Sequence, residues 1–225
     1  MRSVMEYVKY FMQNATGLDN TLDGNMKLQK LLMFSNLINI ALNDEPLFCE
    51  TMRAFKNGCV IEAARLNYRE CYQSLKEDSK KFKPNFSDSE IEVLDMTLGI
   101  FDKLSAKELS CLNHEFKFWE NAYKRYEDTK DIWDSNISEA EIKNEIHVIK
   151  SIIDCYKNRD NSMLVERVNN IDFYYDPENL DINGYIFVFG EEVSILDELY
   201  EFSLSEEAED NCYTIYLDEG ELVIF

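Results

Sequence analysis

Only a few residues in this 225-residue chain are of types that could do chemistry. There are two histidines, at 114 and 147, and six cysteines, at 49, 59, 71, 111, 155 and 212. Cys111 and His114 stand three apart on an expected helix, a spacing at which a thiolate and an imidazole can meet one metal ion. A stable site takes three or four ligands, and His147 is more than thirty residues away, so no metal site is expected. No cysteine pair has the C-x-x-C spacing of zinc or redox sites, so the thiols read as reduced residues of a cytosolic protein. Nucleophilic catalysis needs a base beside Ser or Cys and a group that orients that base, and neither G-x-S-x-G nor a phosphate-cradling glycine pattern occurs. No cofactor and no enzymatic activity are expected.

Charge is the stronger signal. Residues 161–225 hold seventeen Asp or Glu and a single basic residue, Arg167, a net of −16 out of −21 for the chain. Residues 1–160 are close to balance, with 22 Lys or Arg against 27 acidic residues. A field of that sign repels nucleic acid and attracts basic protein surfaces, so a protein partner is expected and direct nucleic-acid binding is not. The sharpest cluster is Glu206, Glu207, Glu209 and Asp210. It reads either as a solvated loop or as a contact for a cationic partner. Trp133, an aromatic residue in a polar stretch, is a further candidate anchor, as are Tyr174, Tyr175, Phe187, Phe202 and Tyr213. The basic run from Lys76 to Lys83 reads first as a solvated connection, the alternatives being a contact with nucleic acid or with the acidic unit.

The elements that must position these residues are mainly helical. With 7 Gly and 3 Pro, a turn-rich sandwich is disfavoured. Apolar spacing predicts helices over 4–14, 27–42 and 61–76, joined by a polar loop over 16–25 and a connection over 80–86. The 27–42 helix has apolar residues far round its circumference and is expected at the centre of its domain. Ser87 with Glu90, Ser105 with Glu108, and Ser138 with Glu141 have the capping-box spacing and predict three further helix starts. The first of these helices is expected to bury Ile91, Leu94, Leu98 and Phe101. The pattern changes near 158–161. Beyond it, strands are expected at 171–175 and 185–189, a short helix around Val193 to Tyr200, and a hairpin over 213–225. No stretch is apolar enough to span a membrane, and the N-terminus lacks the features of a signal peptide.

Four blocks of residues are similar to the Panacea domain, the antitoxin SocA-like family. They are Lys27-Leu28-Gln29-Lys30-Leu31-Leu32; Glu45-Pro46-Leu47-Phe48, like "kPLF"; Ala54-Phe55-Lys56-Asn57-Gly58-Cys59-Val60, like "AWkyGPV"; and the run from Leu104-Ser105 to His114-Glu115 and Trp119, like "ls…eLs…THe…W". The sequence departs from that pattern at Phe55 (Trp in the family), Cys59 (Pro) and Asn113 (Thr). The resemblance covers roughly residues 22–155.

It implies a compact helical domain, which the change of pattern near 158–161 bounds at 1–160; the acidic α+β unit over 161–225 is read from its own residues and lies outside the likeness. It also implies a structural or interface role for Lys27, Leu28, Gln29, Lys30, Pro46, Phe55, Gly58, His114 and Trp119, with His114 hydrogen-bonded near Trp119. The function implied is that of an antitoxin that neutralises a cognate protein toxin by direct binding. The alternatives are an adaptor that presents a toxin to a protease, and an acidic nucleic-acid mimic from a mobile element.

Overall fold

The computed structural model describes residues 2–158, 163–188, 190–208, 210–218 and 220–225. The chain divides into two compact units, Met1–Lys157 and Asn158–Phe225, and the described residues are mainly α.

The first unit is built around α2 (Leu22–Asn43), which follows α1 (Val4–Asn14). Leu28, Leu31, Leu32, Met33, Phe34, Leu37 and Ile38 of α2 are all essentially inaccessible. The helix begins five residues before the sequence expectation. Thr21 caps it, its Oγ accepting from the Gly24 N–H at 3.0 Å, which satisfies one of the orphan amides of a helix start. Gly24 costs helix propensity, but a Cβ there would come within 2.6 Å of the Tyr68 hydroxyl. Close packing, rather than a loop, therefore explains this glycine. The C-terminus stops at Asp44, whose backbone is left-handed (φ 58°) and whose N–H returns to the Ile40 carbonyl.

A short antiparallel hairpin absent from the sequence reading comes next. Strand β1 (Met52–Phe55) pairs with β2 (Gly58–Ile61) through a turn at Lys56-Asn57. Helix α3 (Glu62–Lys81) then runs past the expected end at 76, through a kink at Cys71, and takes in much of the presumed basic connection.

Both following capping boxes are present, Ser87 with Glu90 at the start of α4 (Asp88–Phe101) and Ser105 with Glu108 at the start of α5 (Ala106–His114). The buried face of α4 is rotated from the expected one. Val93, Leu94, Met96, Thr97 and Phe101 are buried, while Ile91 is exposed and Leu98 only half-buried. The polar Thr97 can be buried because its hydroxyl donates to the Val93 carbonyl at 2.7 Å. Helix α6 (Lys117–Thr129), a 3₁₀ turn (Ile132–Ser135) and α7 (Glu139–Asn158) complete the unit. Ser138 and Glu141 exchange the third capping interaction at the start of α7.

The second unit has a four-stranded sheet in the order β3 (Leu164–Val168), β4 (Ile171–Tyr175), β7 (Cys212–Asp218), β8 (Glu221–Ile224). A separate hairpin of β5 (Tyr185–Val188) and β6 (Glu191–Ser194) leads into α8 (Ile195–Leu204). Two strands, β3 and β6, were not anticipated, and Val193 lies in β6 rather than in the helix. Asn169 and Asn170 both have positive φ (49° and 69°) in the two-residue β3–β4 turn, the pair of angles a right-twisted hairpin requires. Phe173, Ile186, Ile195, Leu199 and Ile215 form the core. Of the aromatic anchors proposed for this unit, Tyr175 is buried and Phe202 and Tyr213 pack around Phe173, so these three build the unit itself. Tyr174 and Phe187 are exposed.

Candidate functional site

Helix α2 carries an unusual number of buried polar side chains, and they hold the returning chain. The Asn36 Oδ1 accepts from the Leu47 N–H at 2.8 Å, and the Asn39 amide donates to the Glu45 carbonyl at 2.7 Å. One turn and more toward the N-terminus, the Gln29 Oε1 accepts from the Ile61 N–H at 2.8 Å, and the Lys30 ammonium donates to the Cys59 carbonyl at 3.0 Å. Gln29 and Lys30 thus clamp β2 from within the core, which gives these two residues of the 27–32 block a physical task. Leu28 is simply core.

The β1–β2 turn is shaped around that clamp. Gly58 has φ 101°, and a Cβ on it would come within 2.6 Å of the Lys30 Nζ and closer still to the Asn113 Oδ1. Only glycine meets both requirements without displacement. Asn113, at the end of α5, accepts from the Cys59 N–H at 2.5 Å. Its neighbour His114 stacks on Trp119 with centroids 4.1 Å apart, and Trp119 donates from Nε1 to the Phe55 carbonyl at 2.9 Å. Tyr123 and Tyr126 extend the aromatic series along α6.

Burial sets the protonation of this cluster. Desolvation pulls the Lys30 ammonium down to about 8, with the neighbouring Cys59 opposing the shift. Burial pushes the Cys59 thiol up to about 12, against the influence of Lys30. His114 is lowered, first by burial and then by the Lys30 charge.

Two grooves flank the hairpin, each of about 210 Å³. One lies between Phe55 and Val60 on the hairpin and Leu22, Met26 and Lys30 on α2, with Arg65 at its edge. The other lies between Ala54, Phe55 and Lys56 and the Tyr123, Tyr126 and Ile132 side chains. Phe55 and the exposed Lys56 form the ridge between them. Trp133 is exposed on the same side of β1, under the Arg53 guanidinium at 4.9 Å.

Six residues named from sequence therefore converge on this hairpin: Gln29, Lys30, Phe55, Gly58, His114 and Trp119. Two others stand apart. The Lys27 Nζ lies 3.5 Å from Asp102, and Pro46 borders a polar groove that also contains Arg2, Asn43 and Glu90. Glu206, Glu207 and Asp210 are exposed in the second unit, next to the Tyr213 hydroxyl, which accepts from the Asp210 N–H at 2.8 Å; Glu209 lies outside the described residues. Sequence reasoning missed Leu22, Met26 and Arg65, because the helix start was placed too late and the hairpin was not seen. Asn113 was noticed only as a departure from a pattern.

Among the described residues no group of three or more His, Cys, Asp or Glu side chains could hold a metal ion. All six cysteines are free, and Cys59 alone is buried.

The class defined by these features is a helical domain whose central helix braces a small, ridge-forming hairpin. Residues 28–120 match the family described as antitoxin SocA-like, Panacea domain, which bears out the resemblance over that span. The second unit lies outside the match. No curated protein and no solved structure matches the chain.

Proposed function

We propose that this protein is a non-catalytic antitoxin that silences a cognate protein toxin by covering it. The family match over 28–120 carries this reading. The hairpin ridge supports it, because Phe55, Lys56 and Trp133 offer partly exposed aromatic and cationic groups beside two preformed grooves, the kind of surface in which binding energy concentrates.

The second unit contributes attraction. Its sequence carries a net charge of −16, and Glu206, Glu207, Glu209 and Asp210 are the residues assigned to meet a basic toxin surface. Charge of this kind speeds encounter more than it deepens affinity. The cytoplasm is the setting that goes with this reading. Among the described residues no helix is long and apolar enough to cross a membrane.

Coexpression tests the proposal. The product of a neighbouring gene should arrest growth when expressed alone and should be silenced by this chain, including in cells lacking the major cytoplasmic proteases. Failure to silence any such product sinks the reading, and rescue that disappears without a protease replaces direct masking with proteolytic delivery.

A further inference from the structure

Lys30 is 1% exposed, and among the described residues its ammonium has one hydrogen-bond acceptor, the Cys59 carbonyl, and no carboxylate within ion-pair distance. Removing an ammonium from water costs several kcal/mol unless an anion compensates it. The groove beside it presents mainly apolar surface, with Leu22, Met26, Phe55 and Val60 among its walls and polar residues such as Gln29 and Asn57 also in the lining. Two other cations line the groove, Arg65, held by Glu62 through two hydrogen bonds of 2.8 and 2.7 Å, and the exposed Lys56, which water solvates; Lys30 is the buried positive charge without a counter-ion. At about 210 Å³ the cavity is smaller than the roughly 300–1,000 Å³ of sites for drug-sized ligands.

We infer that this groove is a binding site for a small carboxylate with an apolar body, such as a short fatty acid or an arylalkanoic acid. The body lies against Met26, Phe55 and Val60, and the carboxylate pairs with the Lys30 ammonium. The chemistry is that of many small-ligand sites, in which apolar walls supply affinity and one charged group fixes orientation. The inference does not depend on the antitoxin reading, since it concerns the first unit's own cavity.

Titrating the full chain, labelled with ¹³C at its methionine methyls, with hexanoate and with phenylpropionate tests it. Saturable movement of the Met26 resonance is expected. The uncharged hexanamide should bind at least about tenfold more weakly, a difference of about 1.4 kcal/mol. Lys30→Met, if folded, should bind the acid and the amide alike. No saturable shift with either acid, or equal affinity of wild-type protein for acid and amide, would overturn the assignment. Should Lys30→Met not fold, acid and amide are compared on the wild-type chain and on Lys56→Gln, and a preference for the acid that disappears in Lys56→Gln would overturn the assignment.

Discussion

The Asn113 Oδ1 accepts a 2.5 Å hydrogen bond from the backbone N–H of Cys59, across 54 residues of sequence. The relationship ties two departures from the Panacea pattern into one. Where the family has Pro there is no N–H to satisfy; here Cys59 has one, it is buried, and a buried amide requires an acceptor. Asn113 stands where the family has Thr and supplies that acceptor. Asn113→Thr alone should therefore cost about 1–3 kcal/mol, the price of an orphaned buried donor. Adding Cys59→Pro should return much of that loss. A double-mutant cycle in urea reads the coupling, and strictly additive effects would refute it.

Trp119 is joined to Phe55 by its indole N–H and to His114 and Tyr123 by stacking. Trp119→Phe keeps an aromatic ring in the stack and removes the donor. The expected cost is about 0.5–1.5 kcal/mol, with faster hydrogen exchange at the β1–β2 turn. A change confined to the far end of α6 would show that the indole does not brace the hairpin.

The Glu90 carboxylate accepts from the Tyr7 hydroxyl at 2.7 Å, from the Arg2 Nε at 2.8 Å and from the Ser87 N–H at 2.8 Å. Burial by itself raises its proton affinity, but these hydrogen bonds outweigh it and hold the group below its ordinary 4.5. A depressed carboxylate contributes stability that is present above the unfolded value and is lost as the pH falls through the folded one. Thermal stability should therefore fall on acidification below about pH 4.5, and Glu90→Gln should flatten that limb while lowering stability at pH 7. Parallel acid limbs in the two proteins would count against the assignment.

His114 works in the same direction at higher pH. Its imidazole is lowered from 6.5, by burial and then by the Lys30 charge. The unfolded chain takes up a proton before the folded one does, so stability declines as the pH drops below 6.5. In the Lys30→Met background the His114 proton affinity should rise, and an NMR titration of the ring reads this directly. An unchanged titration would mean that burial alone lowers it.

If the acidic cluster steers a basic toxin, replacing Glu206, Glu207 and Asp210 by their amides should slow association and weaken its salt dependence, with dissociation little changed. Stopped-flow mixing at low and high salt distinguishes this from loss of a docking contact, which would appear in the dissociation rate instead.

Much of the first unit is legible in the chain because its signals are local. Ser87, Ser105 and Ser138 each have the glutamate that closes a capping box, and the apolar run in α2 announces a central helix. The hairpin was not legible, because Met52–Phe55 and Gly58–Ile61 are four residues each and are held by Gln29, Lys30 and Asn113 from distant parts of the sequence. The rotated face of α4 was hidden for a related reason: Thr97 is polar by type and buried through a bond to its own helix. The candidate site was visible as isolated family residues, but its two grooves arise only when Leu22, Met26, Arg65, Tyr123 and Tyr126 converge, which no spacing rule reports.

In the second unit β4 runs parallel to β7, so β7, with β4 on one side and β8 on the other, is an interior strand supplied by residues 212–218. A ribosome must pass residue 218 before that sheet can close, and until then β4 keeps an open edge. A nonsense codon between residues 176 and 211 would accordingly yield an aggregation-prone fragment instead of a shortened but serviceable protein.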